Sequence, residues 1–262
     1  MPRAPSIASL RRKIGPRAQL DLRFRTWGGR REGAGRKPSR PDGAGVPHRA
    51  RPPLASRFPV HLSLKLEKEI PSLRARPRRE LLERCFRQAR GAKGFRLVHY
   101  SIQPRHLHLI VEAQDARALA LAVKGLCIRV ARQLNRLLGR RGRVFSDRYF
   151  SRVLKTPREV RACLAYVLLN ATRHEAQGGT EVSGGIDPCS SGRYFDGWQG
   201  RVARPPPSGK LAEGEAPVVP ARTWLLAVGW RRYRLIAVDE VPGAASRLVA
   251  IPARGHPPPR PA

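Results

Sequence analysis

The first regular pattern of apolar and polar positions along the chain spans residues 60–66. Every second residue there is apolar and polar residues stand between them, as is typical of a strand with one buried face. Residues 95–103 are apolar on both faces, which predicts a central strand. A tight connection then leads to a third predicted strand over 106–113.

Three other segments repeat their apolar residues every three or four positions, which is the spacing of a helix with one buried stripe. The first spans 78–90. The second begins after Asp115, an expected N-cap, and stops at Gly139. The third begins after Thr156, which also suits an N-cap, and is predicted to run to about Arg173.

A fourth strand is predicted between the last two helices, within the segment VFSDRYFSRVL at 144–154. The elements therefore follow the order strand, helix, strand, strand, helix, strand, helix. This order predicts an α+β domain in which helices pack on an antiparallel sheet. The chain beyond is looser, with many turns over 178–200, many prolines over 202–220, and one further packed element expected within 223–242.

The composition divides the chain into three parts. Residues 1–56 are expected to be a disordered basic tail, because 28–41 (GGRREGAGRKPSRP) holds no apolar residue larger than Ala. This stretch resembles an AT-hook, a short cationic segment that enters the DNA minor groove, although a solvated tail without a role has the same composition. The patterned domain is placed at 57–177, and 178–262 is a turn- and Pro-rich C-terminal extension.

The chain is strongly basic. It has 52 Lys and Arg against 19 Asp and Glu, a formal net charge of +33 in 262 residues. A GC-rich genome raises the Arg content without any selection for function, yet the charge remains. A protein of this charge binds polyanions through the release of counterions, so nucleic acid is the expected partner.

The cysteines and the apolar runs indicate the compartment. The four cysteines lie far apart without a CxxC pair, as expected for reduced thiols in the cytoplasm rather than a disulfide framework. No apolar run approaches the about 20 residues that a membrane span requires. We therefore expect no membrane partner and a cytoplasmic, nucleoid-associated location.

His106 and His108 stand two residues apart in the third predicted strand. Residues i and i+2 of a strand point to the same face, so both imidazoles project together while Leu107 enters the opposite layer. Two neighbouring imidazoles on a rigid element form half of a site for a divalent metal. Chance placement of two histidines in an apolar strand explains the pair equally well.

The third predicted helix carries a second polar pair. At 100° per residue its apolar positions cluster on one side, and Tyr166 lies off that side with Asn170 one turn beyond. A core tyrosine is expected inside the apolar arc, so the helix presents a phenol and a carboxamide together. The alternative is a surface tyrosine with an unrelated asparagine nearby.

Three blocks in this order resemble the single-tyrosine HUH transposases, in particular the REP-associated branch. YSIQPRHLHLIVEA resembles the segment with the metal-binding histidines, GRVFSDRYFSRVL the next strand, and AYVLLNATRHEA the catalytic helix. The resemblance covers residues 58–177. One departure is Ala171, which stands where the family usually has a proline after the asparagine.

The resemblance implies a ferredoxin-like fold and a DNA-cleaving site. It assigns His106, His108 and Asn170 as ligands of Mg²⁺ or Mn²⁺ and Tyr166 as the nucleophile. Such an enzyme cleaves and rejoins single-stranded or hairpin DNA through a 5′-phosphotyrosine and leaves a free 3′-hydroxyl. The alternative is a domesticated, non-catalytic nucleic-acid-binding protein. The sequence leaves homodimer and monomer open.

Overall fold

The computed structural model describes residues 53–171, 185–203 and 216–242. Residues 1–52, which include the AT-hook-like segment and most of the predicted basic tail, lie outside the described residues. The main elements, in chain order, are β1 (Val60–Lys65), α1 (Arg76–Ala89), β2 (Phe95–Ile102), β3 (His106–Ala113), α2 (Ala116–Leu137), β4 (Phe150–Val153) and α3 (Pro157–Leu168).

The four strands form one antiparallel sheet in the order β2-β3-β1-β4. The helix α1 connects β1 to β2, and β3 lies between these two strands in the sheet. The helix α2 connects β3 to β4, and β1 lies between them. Two split strand-helix-strand units of this kind make the ferredoxin-like arrangement. The predicted fold class, an antiparallel α+β sheet with helices packed on it, is confirmed.

The helices α1 and α2 cover one face of the sheet, here called the first face. The apolar positions of the alternating strands point into this layer, where Leu62 and Leu109 are fully buried. The helix α2 adds a buried stripe spaced three and four residues apart, which consists of Leu119, Val123, Leu126, Val130 and Leu134. The first face is thus the main hydrophobic core.

The ends of the predicted helices are capped as their sequences indicate. The Asp115 carboxylate accepts a hydrogen bond from the backbone N–H of Ala118 at 2.7 Å, and Gly139 follows α2 with a positive φ of 59°. Thr156 and Glu159 form a reciprocal capping box at the start of α3. These side chains satisfy backbone groups that a helix end leaves without partners.

The end of the third helix differs from the prediction. α3 ends at Leu168, not near Arg173, because Leu169 adopts φ −110° and ψ 24° before helical structure resumes at Asn170. Leu169 is 1% exposed, so burial of its side chain accompanies the break in the regular backbone. Arg173 lies outside the described residues.

The opposite face of the sheet, here called the second face, is covered by α3, which packs against β2 and β3. The described parts of the C-terminal extension complete this layer. A short helix α4 (Trp224–Ala227) and the 3-10 turn Gly229–Tyr233 pack against α3, and Trp230 is 1% exposed. The helices of the described residues include none with the length and hydrophobicity of a membrane span.

Candidate active site

The two histidines of the HxH motif lie on the second face of the sheet. The side chains of Leu107 and Leu109 fill the core under α1 and α2, so His106 and His108 project towards the α3 layer. His108 is the register partner of Ser63 in β1 and of Ser101 in β2. The motif therefore stands in the middle of the sheet, among short polar side chains.

The phenol of α3 contacts this motif. The ring centroids of Tyr166 and His108 are 5.2 Å apart and their planes meet at 82°, an edge-to-face arrangement. His106 and His108 lie nearly parallel, with centroids 6.3 Å apart. Side chains from β3 and from a helix almost 60 residues later thus converge at one place, as a catalytic constellation requires.

A third histidine belongs to this cluster, and the sequence prediction missed it. The ring of His61 in β1 stacks on His108 with centroids 5.5 Å apart and makes an edge-to-face contact with Tyr166, with centroids 5.9 Å apart. A signal was present, because His61 occupies a polar position of the alternating strand β1. In a ferredoxin-like sheet β1 lies beside β3, so its polar positions share the face of the HxH motif.

Burial makes His61 a neutral side chain at pH 7. Its removal from water and, as a smaller cause, the nearby Arg152 cation together lower its pKa from 6.5 to about 4. The Nε2 atom of His61 is buried and forms no hydrogen bond within the described part of the chain. A neutral imidazole offers a lone pair, so His61 differs from a cationic surface histidine.

Cationic side chains border the histidine cluster. Arg152 of β4 is the register partner of His61, and Lys65 of β1 is the register partner of His106. Arg152 also forms an ion pair with Glu159 at 3.1 Å, which fixes its guanidinium near the start of α3. A positive border of this kind attracts phosphate groups.

Asn170, the fourth predicted site residue, lies just after the turn at Leu169. Its side chain is 1% exposed, and its Oδ1 atom forms no hydrogen bond within residues 53–171, 185–203 and 216–242. The sequence predicts that Asn170 lies one regular helical turn beyond Tyr166, and the non-helical Leu169 stands between them. A buried carbonyl oxygen without a partner is costly, and a bound cation would supply the missing partner.

The donor atoms of the site fit a divalent metal if Asn170 takes part. Imidazole nitrogens and an amide oxygen are accepted ligand types, and the mixture suits Mn²⁺ better than Mg²⁺, which prefers oxygen alone. The described residues include no group of three or more His, Cys, Asp or Glu side chains arranged to hold a metal ion. The two motif histidines alone would therefore leave the metal open to water and to a phosphate oxygen.

Comparison with known proteins gives limited similarity. No family model and no curated protein matches the chain. The structure is similar to that of a REP-associated tyrosine transposase bound to a REP hairpin, with 12% identity and a TM-score of 0.41 over 49% of this chain and 74% of that one. A candidate transposase from Deinococcus radiodurans gives 17% identity and a TM-score of 0.32 over 43% and 87%.

The first of these structures belongs to the family that the three sequence blocks resemble. Structural similarity this low does not show what reaction the chain catalyses, so only its own side chains indicate the chemistry. Those side chains are His61, His106, His108 and Tyr166, which ring contacts join, and the buried Asn170.

Proposed function

We propose that the chain is a DNA transposase of the single-tyrosine HUH type that cleaves and rejoins single-stranded DNA with Tyr166 as the nucleophile. The observation that carries the proposal is the contact between Tyr166 and His108, with ring centroids 5.2 Å apart. An HxH pair alone is common, and so is a half-buried tyrosine. Their meeting on one face of the sheet is what a nucleophile beside a metal half-site requires.

The proposed step is a transfer of one phosphodiester bond. The Oη atom of Tyr166 attacks the scissile phosphorus, a new O–P bond forms, and the bond from phosphorus to the 3′ oxygen breaks. The phenol proton passes to solvent and the departing 3′ oxygen takes up a proton, which leaves a 5′-phosphotyrosine and a 3′-hydroxyl. Because the covalent product keeps the energy of the broken bond, the reverse step joins strands without a nucleotide triphosphate.

His106, His108 and Asn170 would hold the Mg²⁺ or Mn²⁺ ion. Such an ion, when bound, polarises a phosphate oxygen and offsets negative charge at the scissile group. His61 would help to hold the Tyr166 ring through their edge-to-face contact, with centroids 5.9 Å apart. Arg152 and Lys65 lie beside the cluster and would hold the flanking phosphates of the strand.

We infer that the substrate is single-stranded DNA that includes a hairpin. The solved structure of the REP-associated transposase contains such a hairpin, and the net charge of +33 suits a long polyanion. A protein acting on chromosomal DNA would be cytoplasmic and associated with the nucleoid.

A denaturing gel tests the proposal. The chain is incubated with a library of single-stranded hairpins and Mg²⁺ or Mn²⁺, and we expect a protein band that carries DNA. Tyr166→Phe should remove this band and retain binding, because only the nucleophilic oxygen is lost. Tyr149→Phe is the matched control, since Tyr149 packs against the core of the first face and should leave the band unchanged.

Chelation of the metal should also remove the band, and Mn²⁺ should restore it at lower concentration than Mg²⁺. Retention of the band in Tyr166→Phe with its loss in Tyr149→Phe would move the nucleophile to the other tyrosine. Tight binding of hairpins without any covalent product, under all of these conditions, would favour the non-catalytic nucleic-acid-binding alternative.

A further inference from the structure

The C-terminal extension exposes an aromatic ring that the proposed cleavage chemistry does not use. Trp224, the first residue of α4, is 50% exposed, whereas Trp198 and Trp230 are 7% and 1% exposed. Val228, one helical turn later, is 55% exposed. The two side chains form an apolar patch at the outer side of α4, which itself packs against α3.

The Trp224 ring is supported by the backbone of Gly229. A Cβ atom built on Gly229 would lie 2.7 Å from Cζ3 of Trp224, so the ring rests directly on the glycine backbone. Any side chain at this position would displace the ring. The exposed ring therefore has a fixed support, which lowers the entropy lost when a partner stacks on it.

One guanidinium lies over this ring, in a segment rich in arginine. The guanidinium carbon of Arg232 lies 4.9 Å from the centroid of the Trp224 ring. The segment 222–234 contains four arginines and no acidic residue. One of them, Arg231, is paired with Asp196 at 2.8 Å, whereas the described residues offer Arg232 no ion pair. The patch is thus both aromatic and positively charged.

We propose that this patch, defined by Trp224, Val228 and Arg232, is a stacking platform for an unpaired base of single-stranded DNA. A base offers a flat π-face to the indole, and its phosphate offers an anion to the guanidinium, which is the combination that single-strand-binding proteins use. Charge complementarity favours DNA over an apolar partner. This inference rests on the proposed function, because it assigns a second contact for the same DNA strand beyond Tyr166.

The experiment measures binding of fluorescein-labelled oligo(dT) by anisotropy, with Tyr166→Phe present so that no strand is cleaved. Trp224→Ala should weaken binding about tenfold, as expected for the loss of one base stacked on an aromatic ring, and Trp224→Phe should restore most of it. Gly229→Ala should also weaken binding, because it shifts the ring without removing it. Leu121→Ala is the control for lost apolar area, because Leu121 is 61% exposed on α2 outside the patch, and it should have little effect.

An abasic strand of the same length separates stacking from charge. It retains every phosphate, so wild-type and Trp224→Ala chains should bind it equally, and a blunt duplex should likewise show no dependence on Trp224. Equal binding of oligo(dT) by both chains, with unchanged melting temperatures, would overturn the proposal. So would a shift of tryptophan emission that anionic phospholipid vesicles cause and oligo(dT) does not, assigned to Trp224 by its absence in Trp224→Phe.

These outcomes are independent of the cleavage chemistry. Equal binding of oligo(dT) with and without Trp224, together with a retained covalent band, would refute this inference alone. Absence of a covalent band with a retained Trp224 effect would refute the proposed transposase and leave single-strand binding in place.

Discussion

The two faces of the four-stranded sheet use the same strands for different purposes. In β3, Leu107 and Leu109 enter the first face and are almost completely buried, whereas the residues between and before them, His108 and His106, enter the second face. The first face is an apolar core under two helices. The second face combines apolar packing with a cluster of three histidines and a tyrosine.

This difference shows how a small domain can separate stability from chemistry. The two-residue period of a strand allows each alternate position to change its character without disturbing the other face. Burying polar groups such as His61 and Asn170 costs free energy where they lack partners. The second face accepts this cost at the proposed site and offsets it with the apolar contacts that α3 and the extension supply.

The largest expected effect sharpens the chemical side of the comparison. His106→Ala combined with His108→Ala should lower the rate of covalent attachment by roughly 10³-fold or more, because a metal contributes several kcal/mol to the transition state. The free energy of unfolding should change by only about 1 kcal/mol, as for substitutions outside the main core. Rates come from the denaturing gel and stability from urea unfolding. Metal-independent cleavage by the double variant would contradict the account.

Leu109→Ala should show the opposite behaviour. Leu109 is fully buried in the first face, so its truncation should lower the free energy of unfolding by about 3 kcal/mol through lost contacts and a cavity. Attachment to DNA, normalised to the folded fraction, should stay close to that of the wild type. A normalised rate as low as that of the histidine double variant would show that the two faces are not independent.

Much of the first face was predictable from the sequence alone. The alternation in β1, the periodicity of α2 and the capping residues Asp115 and Thr156 are local signals, and each marks its element correctly. The family resemblance added the partners of each strand. A local pattern was enough to predict the buried residues here, because the burial of this face depends only on the contact between the sheet and the two helices above it.

The second face was harder to predict because three layers meet there. Arginine is a residue type that is usually solvated, yet Arg161 is only 4% exposed because the extension covers it. The sequence of β1 alone marks His61 only as a polar residue on the outer face of a strand. Its contacts with His108 and Tyr166 depend on the positions of β3 and α3. The end of α3 at Leu168, where the buried Leu169 leaves the helical conformation, is not indicated by the helical period.

The contribution of the extension can be measured at Arg161. Its guanidinium forms a bidentate ion pair with Glu240 at 2.6 and 2.7 Å, which fastens the extension to α3. Arg161→Met should lower the free energy of unfolding by about 3 kcal/mol, because it leaves a partly buried carboxylate without its partner. Adding Glu240→Gln should recover part of this loss. Additive losses in urea unfolding would show that the two side chains are not coupled.

The smallest expected effect concerns pH. Burial lowers the pKa of His99 on β2 from 6.5 to about 4, although the nearby Asp196 carboxylate acts against this. Below pH 6.5 the unfolded chain therefore binds a proton that the folded chain does not, and stability is lost as the pH falls from 6.5 towards 4. Between pH 7 and pH 5 this one group should cost about 2 kcal/mol.

Urea unfolding at the two pH values, for the wild type and for His99→Gln, measures this effect. The variant should lose less stability on acidification than the wild type. Equal losses would assign the acid sensitivity to other groups, of which His61 is the next candidate because burial lowers its pKa to about 4 as well.

The central claim is that Tyr166 forms the covalent bond to DNA, and peptide mass spectrometry tests it most directly. Wild-type chain is incubated with a cleavable hairpin and Mn²⁺, then treated with nuclease and protease, and the remaining nucleotide is located by fragmentation. We predict a nucleotide joined through a 5′-phosphate to Tyr166, on the peptide that follows Arg161. A nucleotide on Tyr149 or on any other side chain would contradict the account.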